Sequence, residues 1–367
     1  MKLERIVLKD FRNYEHCDLT IKNQIVVFFG DNAQGKTSLL EAIYVLSTGR
    51  SHRTSDERMC IRHQQELAMT KVWVQNPNEI QLKAVIHDKG KTLFYQNQPL
   101  TKVSEFIGKL NAIMFSPNDL ELFDASPKER RRLIDVELGK IDPFYMERLS
   151  HYNKVLKERN AALKEFKVDE TYLEVMTNQL IEDQCQLIPL KKAFIEKLSS
   201  HMESIYPMLA LESLRVEMEY LGPLESYEDL KEHLTQKYQK SLERDKSFKM
   251  THVGIHRDDI ALKMNSKNVV DIASQGQRRM VVIALKCALL DVVEEMCHER
   301  PILLLDDVFS ELDAKRRQAL FEVLEDRTQT FISTTDLDDI QVWLKDKVDI
   351  YEVKHGTLIE RRSSHEH

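Results

Sequence analysis

Ile25–Phe29 (IVVFF) is a short, continuous apolar run. Gly30-Asp31-Asn32-Ala33-Gln34-Gly35-Lys36-Thr37 follows at once, and then Leu39, Leu40, Ile43 and Leu46 recur at helical spacing. A strand buried on both faces, a glycine-bearing loop and a helix, in that order, leave few folds open other than an α/β layer structure. Gly30 and Gly35 let the backbone turn its N–H groups inward, forming a nest for phosphate oxygens. The helix start adds about half a positive charge. Lys36 would neutralise terminal phosphate charge, and the Thr37 hydroxyl would coordinate Mg²⁺. The eight residues fit G-x-x-x-x-G-K-[ST] in the strand–loop–helix context that a phosphate loop requires.

Composition narrows the field further. With 367 residues the chain exceeds one average domain, which implies two domains or one domain with an insertion. Ten glycines and nine prolines are too few for a loop-rich all-β or low-complexity chain. No run approaches the ~18 apolar residues that a spanning helix needs, so no membrane association is expected. Lys2, Glu4, Arg5, Lys9 and Asp10 interrupt the first twenty residues, which argues against a secretory signal. Cys17, Cys60, Cys185, Cys287 and Cys297 form no C-x-x-C pair and read as reduced thiols of a cytoplasmic protein. The net charge of −7 excludes a blanket cationic coat but leaves room for a local basic face.

The texture changes twice along the chain. Residues 2–9, 73–75, 80–86 and 92–95 read as strands around the helix at 37–47. From about 120 to 249 glycine nearly disappears, and 144–166, 172–206 and 229–248 carry helical spacing, with Pro189 expected to kink or interrupt the second. From 251 the alternation returns, with helices at 281–296, 314–324 and 337–344. Strands are expected at 301–305 and 330–333, and a hairpin turns at His355-Gly356. The expected fold is therefore α/β: a discontinuous lobe of residues 1–119 and 250–367 carrying an inserted helical lobe at 120–249.

Three further motifs bear on chemistry. Ile302-Leu303-Leu304-Leu305-Asp306-Asp307 is a buried strand ending in two carboxylates. Beside a phosphate loop it reads as a Walker B element, with Asp306 on Mg²⁺ and Asp307 on the attacking water. Ser274-Gln275-Gly276-Gln277-Arg278 opens a helix and exposes free N–H donors, although a plain helix cap has the same appearance. Ser310-Glu311-Leu312-Asp313 follows the acidic strand and could equally be the cap of the next helix.

The order of these motifs resembles the ABC-type P-loop ATPase head of the structural-maintenance-of-chromosomes class. Several segments are more specific. Phe11-Arg12-Asn13-Tyr14, Ser47-Thr48-Gly49-Arg50-Ser51-His52-Arg53, Phe115-Ser116-Pro117-Asn118-Asp119-Leu120, Arg130-Arg131-Arg132 and Gly254-Ile255-His256-Arg257-Asp258-Asp259 together resemble the RecF family of bacterial recombination mediators along essentially the whole chain. The resemblance implies an ATP- and Mg²⁺-dependent protein that dimerises on ATP and hydrolyses it slowly. It implies binding of double-stranded DNA near single-strand gaps, and action with RecR and RecO to load RecA. Carried over by motif, Lys36, Asp306 and Asp307 would be catalytic. Gly30, Asp31, Asn32, Ala33, Gln34, Gly35, Lys36, Thr37 and Ser38 would bind the nucleotide, with Arg12 nearby. Ser274, Gly276 and Gln277 would reach the partner's γ-phosphate, and Asp313 would lie in the dimer-crossing loop. Asp307 stands where many ABC ATPases have Glu, Thr335 where many keep a switch His, and no Gln occupies 115–120. All three departures fit slow turnover.

DNA contact is expected at Lys128, Arg130, Arg131 and Arg132, and on a helix face with Arg148, Lys154, Lys157 and Arg159. Arg50, His52 and Arg53 could face DNA or nucleotide, and His256 and Arg257 could instead form a buried ion-pair node. The other reading is a transporter's ATP-hydrolysing subunit or another P-loop ATPase not acting on DNA. The Ala273-Ser274-Gln275-Gly276-Gln277 element and the helical insertion disfavour it.

Overall fold

The computed structural model describes residues 1–76, 78–122, 126–223, 227–324, 328–338, 340 and 348–361. The helix expected at 337–344 falls largely outside them. The chain divides into two compact units: Met1–Leu120, Ser204–Leu214 and Ser274–His367 form the first, and Glu121–Glu203 and Arg215–Ala273 the second.

In the first unit β1 (Lys2–Phe11), β2 (Tyr14–Thr20), β4 (Leu67–Asn76), β5 (Asn78–His87), β6 (Gly90–Tyr95) and β7 (Gln98–Pro99) form an antiparallel sheet in the order β2-β1-β4-β5-β6-β7. Their alternation is that of strands with one face in a core. A second sheet has the order β15-β14-β3-β13-β12-β8. It contains β3 (Ile25–Phe29), β8 (Ala112–Phe115), β12 (Ile302–Asp306), β13 (Thr330–Thr334) and the hairpin β14 (Val348–Lys354) and β15 (Thr357–Arg361). All its pairs are parallel except that hairpin. Its central strands are continuous apolar runs because both faces are covered.

Helix α1 (Lys36–Thr48) contacts strands of both sheets. Leu39, Leu40, Ala42, Ile43, Val45 and Leu46 are buried all round the helix, as expected of one enclosed by the core rather than laid on it. Parallel β3 and β12 are separated by β13, so the phosphate loop and the acidic strand end lie at the same edge, one strand apart. The unit also contains α7 (Gln275–Cys297) and α8 (Ala314–Leu324).

The second unit is helical around a small sheet. It contains α2 (Pro127–Ile141), α3 (Pro143–Ala162), most of α4 (Glu170–Ala210), α5 (Tyr227–Phe248) and the short α6 (Val269–Ile272). β9 (Val216–Leu221), β10 (Asp259–Met264) and β11 (Lys267–Asn268) pair antiparallel in the order β11-β10-β9. This pairing corrects the expected return at residue 250. Residues 259–264 hydrogen-bond to β9, so the chain leaves the second unit only at Ser274.

Pro189 neither ends nor divides α4. It sits on the exposed side of the helix, where its missing N–H forfeits one bond, while Leu187 and Ile188 are buried.

Charged groups organise the interior of the second unit. Arg159 and Asp245 are fully buried and paired at 2.8 Å. Arg159 also donates to Thr251 Oγ1 (2.7 Å) and Thr177 Oγ1 (3.0 Å), and the His252 backbone N–H reaches Asp245 at 3.0 Å. Arg159, expected on a DNA-facing surface, is a core residue. His256 accepts from the Tyr152 hydroxyl at Nδ1 (2.7 Å) and donates from Nε2 to Thr251 O (3.2 Å), the neutral tautomer that suits both partners. The ion-pair node expected at His256 and Arg257 is instead a neutral hydrogen-bonded one: His256 meets a hydroxyl and a carbonyl, and Arg257 is exposed.

Two outcomes follow from these groups. Arg159→Leu leaves the Asp245 carboxylate buried without its cation and should destabilise by about 3–5 kcal/mol. Urea unfolding would measure this, and adding Asp245→Asn should recover part of the loss. Burial pushes the His256 imidazole down to about 4, whereas the unfolded chain takes up that proton near ~6.5. Stability is therefore complete above about pH 6.5 and is lost as pH falls toward 4, by about 1.4 kcal/mol per unit. His256→Gln should flatten that decline in a melting-temperature series.

Candidate nucleotide-binding site

The loop after β3 is built by positive-φ residues: Gly30 (146°), Ala33 (65°) and Gly35 (118°). A Cβ on Gly30 would lie 2.6 Å from Val353 O, and one on Gly35 would lie 2.6 Å from Asn13 Nδ2. Both positions therefore need glycine for space as well as conformation. The loop is pinned from outside. Asn13 Nδ2 donates to Gln34 O (2.8 Å) and the Tyr14 hydroxyl donates to Gly35 O (3.1 Å). From the terminal hairpin, His355 N donates to Gln34 Oε1 (2.8 Å) and Gly356 N to Gln34 O (3.1 Å).

Lys36 folds back over this loop. Its ammonium donates to Gly30 O (2.5 Å) and Asp31 O (2.8 Å). Burial pulls the Lys36 ammonium below its ordinary value, against the opposing fields of Asp307, Asp306 and Asp31. A phosphate in the loop would supply the counter-charge that burial withholds.

Asp306 Oδ1 accepts from Thr37 Oγ1 (2.8 Å) and from Ser333 Oγ (2.5 Å). A carboxylate and a hydroxyl at this separation are suited to Mg²⁺, which is commonly bound through one or two protein oxygens together with substrate phosphates and waters. Asp307 has φ 51°, and its N–H donates to Ser333 O at 3.1 Å. It opens onto a cleft lined also by Phe115, Ser116, Arg279 and Val308. The glycine-dependent cradle, the lysine at its mouth and the Thr37–Asp306 oxygens fit a triphosphate with its cation.

Arg12, expected beside the nucleotide, is committed elsewhere. It donates to Glu41 from Nε (2.8 Å) and Nη2 (2.5 Å), and to Met59 O from Nη1 (2.6 Å). Glu41 lies fully buried on α1 and also accepts from Ser51 Oγ (2.5 Å). Burial alone would raise the Glu41 carboxyl, but the bonds from Arg12 and Ser51 outweigh it and hold it below its ordinary value. Arg12 thus braces the helix that follows the loop.

Ser274 is the N-cap of α7 in a capping box: Gln277 N donates to Ser274 Oγ (3.2 Å), and Ser274 N donates to Gln277 Oε1 (3.1 Å). Gln277 Nε2 donates to Glu212 (3.0 Å). These bonds stay on α7 and its neighbour; none reaches the loop of the same chain. Gly276 faces Arg316, 4.0 Å from its Cβ position. Asp313 caps α8, accepting from Arg316 N at 2.9 Å and pairing with the Arg316 guanidinium at 3.2 Å. Thr335 is exposed.

In the second unit the basic cluster divides. Arg130 pairs with Asp259 through two bonds of 2.9 and 2.6 Å, and Arg131 donates to Asp258 O. This corrects the expectation of four DNA-facing cations. α2 packs on β10, and the face with Arg130 and Arg131 turns toward it, whereas Lys128 and Arg132 are exposed. Sequence reasoning missed Ser333 and Glu41 as structural partners of the site. Gln34 was singled out with the loop, and Asn13 lay inside the recognised Phe11–Tyr14 segment without a role assigned to it.

The family model described as "RecF/RecN/SMC N terminal domain" matches residues 2–358. A DNA replication and repair protein RecF of Ligilactobacillus salivarius is 37% identical, covering 99% of this chain and 98% of its own length. That of Streptococcus suis is 39% identical, over 98% and 100%. The structure titled "Structure of the recombination mediator protein RecF-ATP in RecFOR pathway" superimposes with a TM-score of 0.90 at 30% identity, covering 98% of this chain and 99% of the other. An SMC head bound to the C-terminal winged-helix domain of ScpA gives a TM-score of 0.58 at 14% identity, which shows the ABC-type ATPase head fold alone. With the fold, the site and near-full-length relatives in agreement, the chain belongs to the RecF family.

Proposed function

We propose that this protein is an ATP-dependent DNA-binding clamp of RecF type, acting in DNA repair and replication with RecR and RecO upstream of RecA loading. The observation that carries the ATP reading is the Thr37–Asp306 contact at 2.8 Å beside a loop closed by Lys36. ATP–Mg²⁺ supplies the phosphoanhydride whose cleavage resets the clamp. Lys36 exchanges the Gly30 and Asp31 carbonyls for phosphate oxygens. Thr37 and Asp306 would hold the cation, and the short Asp307 side chain would orient water weakly, which accords with slow hydrolysis. Arg12 and Glu41 keep α1 in place while this happens.

The dimer reading rests on α7. Its N-terminus carries Ser274 and Gly276, whose bonds stay on α7, and the family resemblance implies that they reach the γ-phosphate of a second copy's nucleotide. Asp313 stands at the start of α8 as the loop residue that a facing copy would meet. Duplex DNA near single-strand gaps is the substrate, gripped by the ATP-bound dimer. Lys128 and Arg132 remain available to it on the second unit. A transporter subunit is disfavoured because the near-full-length relatives are DNA replication and repair proteins. A cytoplasmic location follows from that role.

The deciding experiment measures mass and duplex binding with and without ATP–Mg²⁺ at low and high salt. The wild type should dimerise and bind only with ATP–Mg²⁺, more weakly in salt. Lys36→Met should lose ATP binding by at least about tenfold, as expected when one charge-assisted phosphate contact goes. Ser274→Arg should bind ATP like the wild type yet remain monomeric. Loss of ATP binding in Ser274→Arg would sink the trans arrangement, and ATP binding with neither dimer nor DNA complex would sink the clamp.

A further inference from the structure

The outer face of the antiparallel sheet carries charge that the nucleotide site does not use. Register places Lys71 directly opposite Lys83, Arg5 opposite Trp73 and Lys83 opposite Phe94. The alternate residues of the same strands, including Ile6, Val72 and Leu82, are core, so these side chains face outward. Like charges directly opposite on a sheet oppose folding. Among the described residues, none of Lys9, Lys71 and Lys83 pairs with a carboxylate. Asp18, opposite Val7 on this face, is already bound by Arg5 at 2.5 Å. Burial and the fields of Lys83 and Arg5 together lower the Lys71 ammonium.

Aromatic rings, in place of carboxylates, hold the two lysines, and Arg5 shares one of those rings while paired with Asp18. The Lys71 ammonium lies 4.4 Å and the Arg5 guanidinium 4.8 Å from the Trp73 ring, and the Lys83 ammonium 3.8 Å from that of Phe94. A surface that keeps uncompensated lysines face to face is complementary to a polyanion.

We propose that this face of the sheet holds duplex DNA through its phosphate backbone. The inference rests on the DNA-repair reading above and assigns that reading a surface. Duplex is favoured over single strand because cations already occupy the Trp73 and Phe94 rings, leaving no bare platform on which unpaired bases could stack. Backbone contacts of this kind carry no sequence code.

The test is a salt series of duplex binding by the full chain with ATP–Mg²⁺, comparing wild type with Lys71→Gln/Lys83→Gln. Two lost phosphate contacts should lower the slope of log affinity against log salt by about 1.8. ATP affinity should be unchanged, and the melting temperature unchanged or raised, because a like-charge pair is gone. Lys71→Arg/Lys83→Arg should restore the slope, which separates lost charge from a damaged fold. An unchanged slope and affinity in the Gln variant would overturn the assignment of this face. Equal competition by a single-stranded oligonucleotide would overturn the duplex assignment. Absence of duplex binding by the wild type itself would overturn the DNA reading as a whole.

Discussion

Helix α1 has almost no side exposed to water, and much of the first unit is an answer to that constraint. Packed between two sheets, it must find a partner for every charge it carries. Glu41 in its middle recruits Arg12 from the β1–β2 turn and Ser51 from the segment beyond the helix. Lys36 at its first turn donates to two loop carbonyls. The first charge is permanently satisfied and fixes the helix. The second is satisfied provisionally and is available to a better anion. One enclosed helix thus combines a rigid anchor with a responsive end.

The motifs were legible because each is local. A glycine that must adopt positive φ, a lysine one residue on, and an apolar strand ending in Asp306 leave their signature within a few residues. What joins them was not legible. Ser333 closes on Asp306 from a strand 27 residues away, and Arg12 meets Glu41 across 29. Such pairs depend on sheet order and register, which no single segment encodes. The boundary at Ser274 was misjudged for the same reason, since β10 belongs to the strand it pairs with rather than to its neighbours in sequence.

Charged residues were the hardest to read. Arg130, Arg131 and Arg159 sit in runs that look solvated, yet each is claimed by a specific acceptor in the second unit. Conversely, Lys71 and Lys83 are separated by a turn and form no visible cluster in sequence. Only antiparallel register sets them side by side. A count of cations along the chain says little about where free positive charge resides. Pairing decides that, and pairing belongs to the tertiary structure.

The grip of the terminal hairpin on Gln34 also bears on how the protein is made. The donor His355 lies 321 residues beyond its acceptor. Synthesis at about 5–20 residues per second puts roughly 15–60 s between the two. During that interval the phosphate loop exists as sequence but lacks its outer clasp. Until residues 355 and 356 have been made, the loop cannot be seated as it is in the folded protein, so its clasp is among the last parts of the first unit to form.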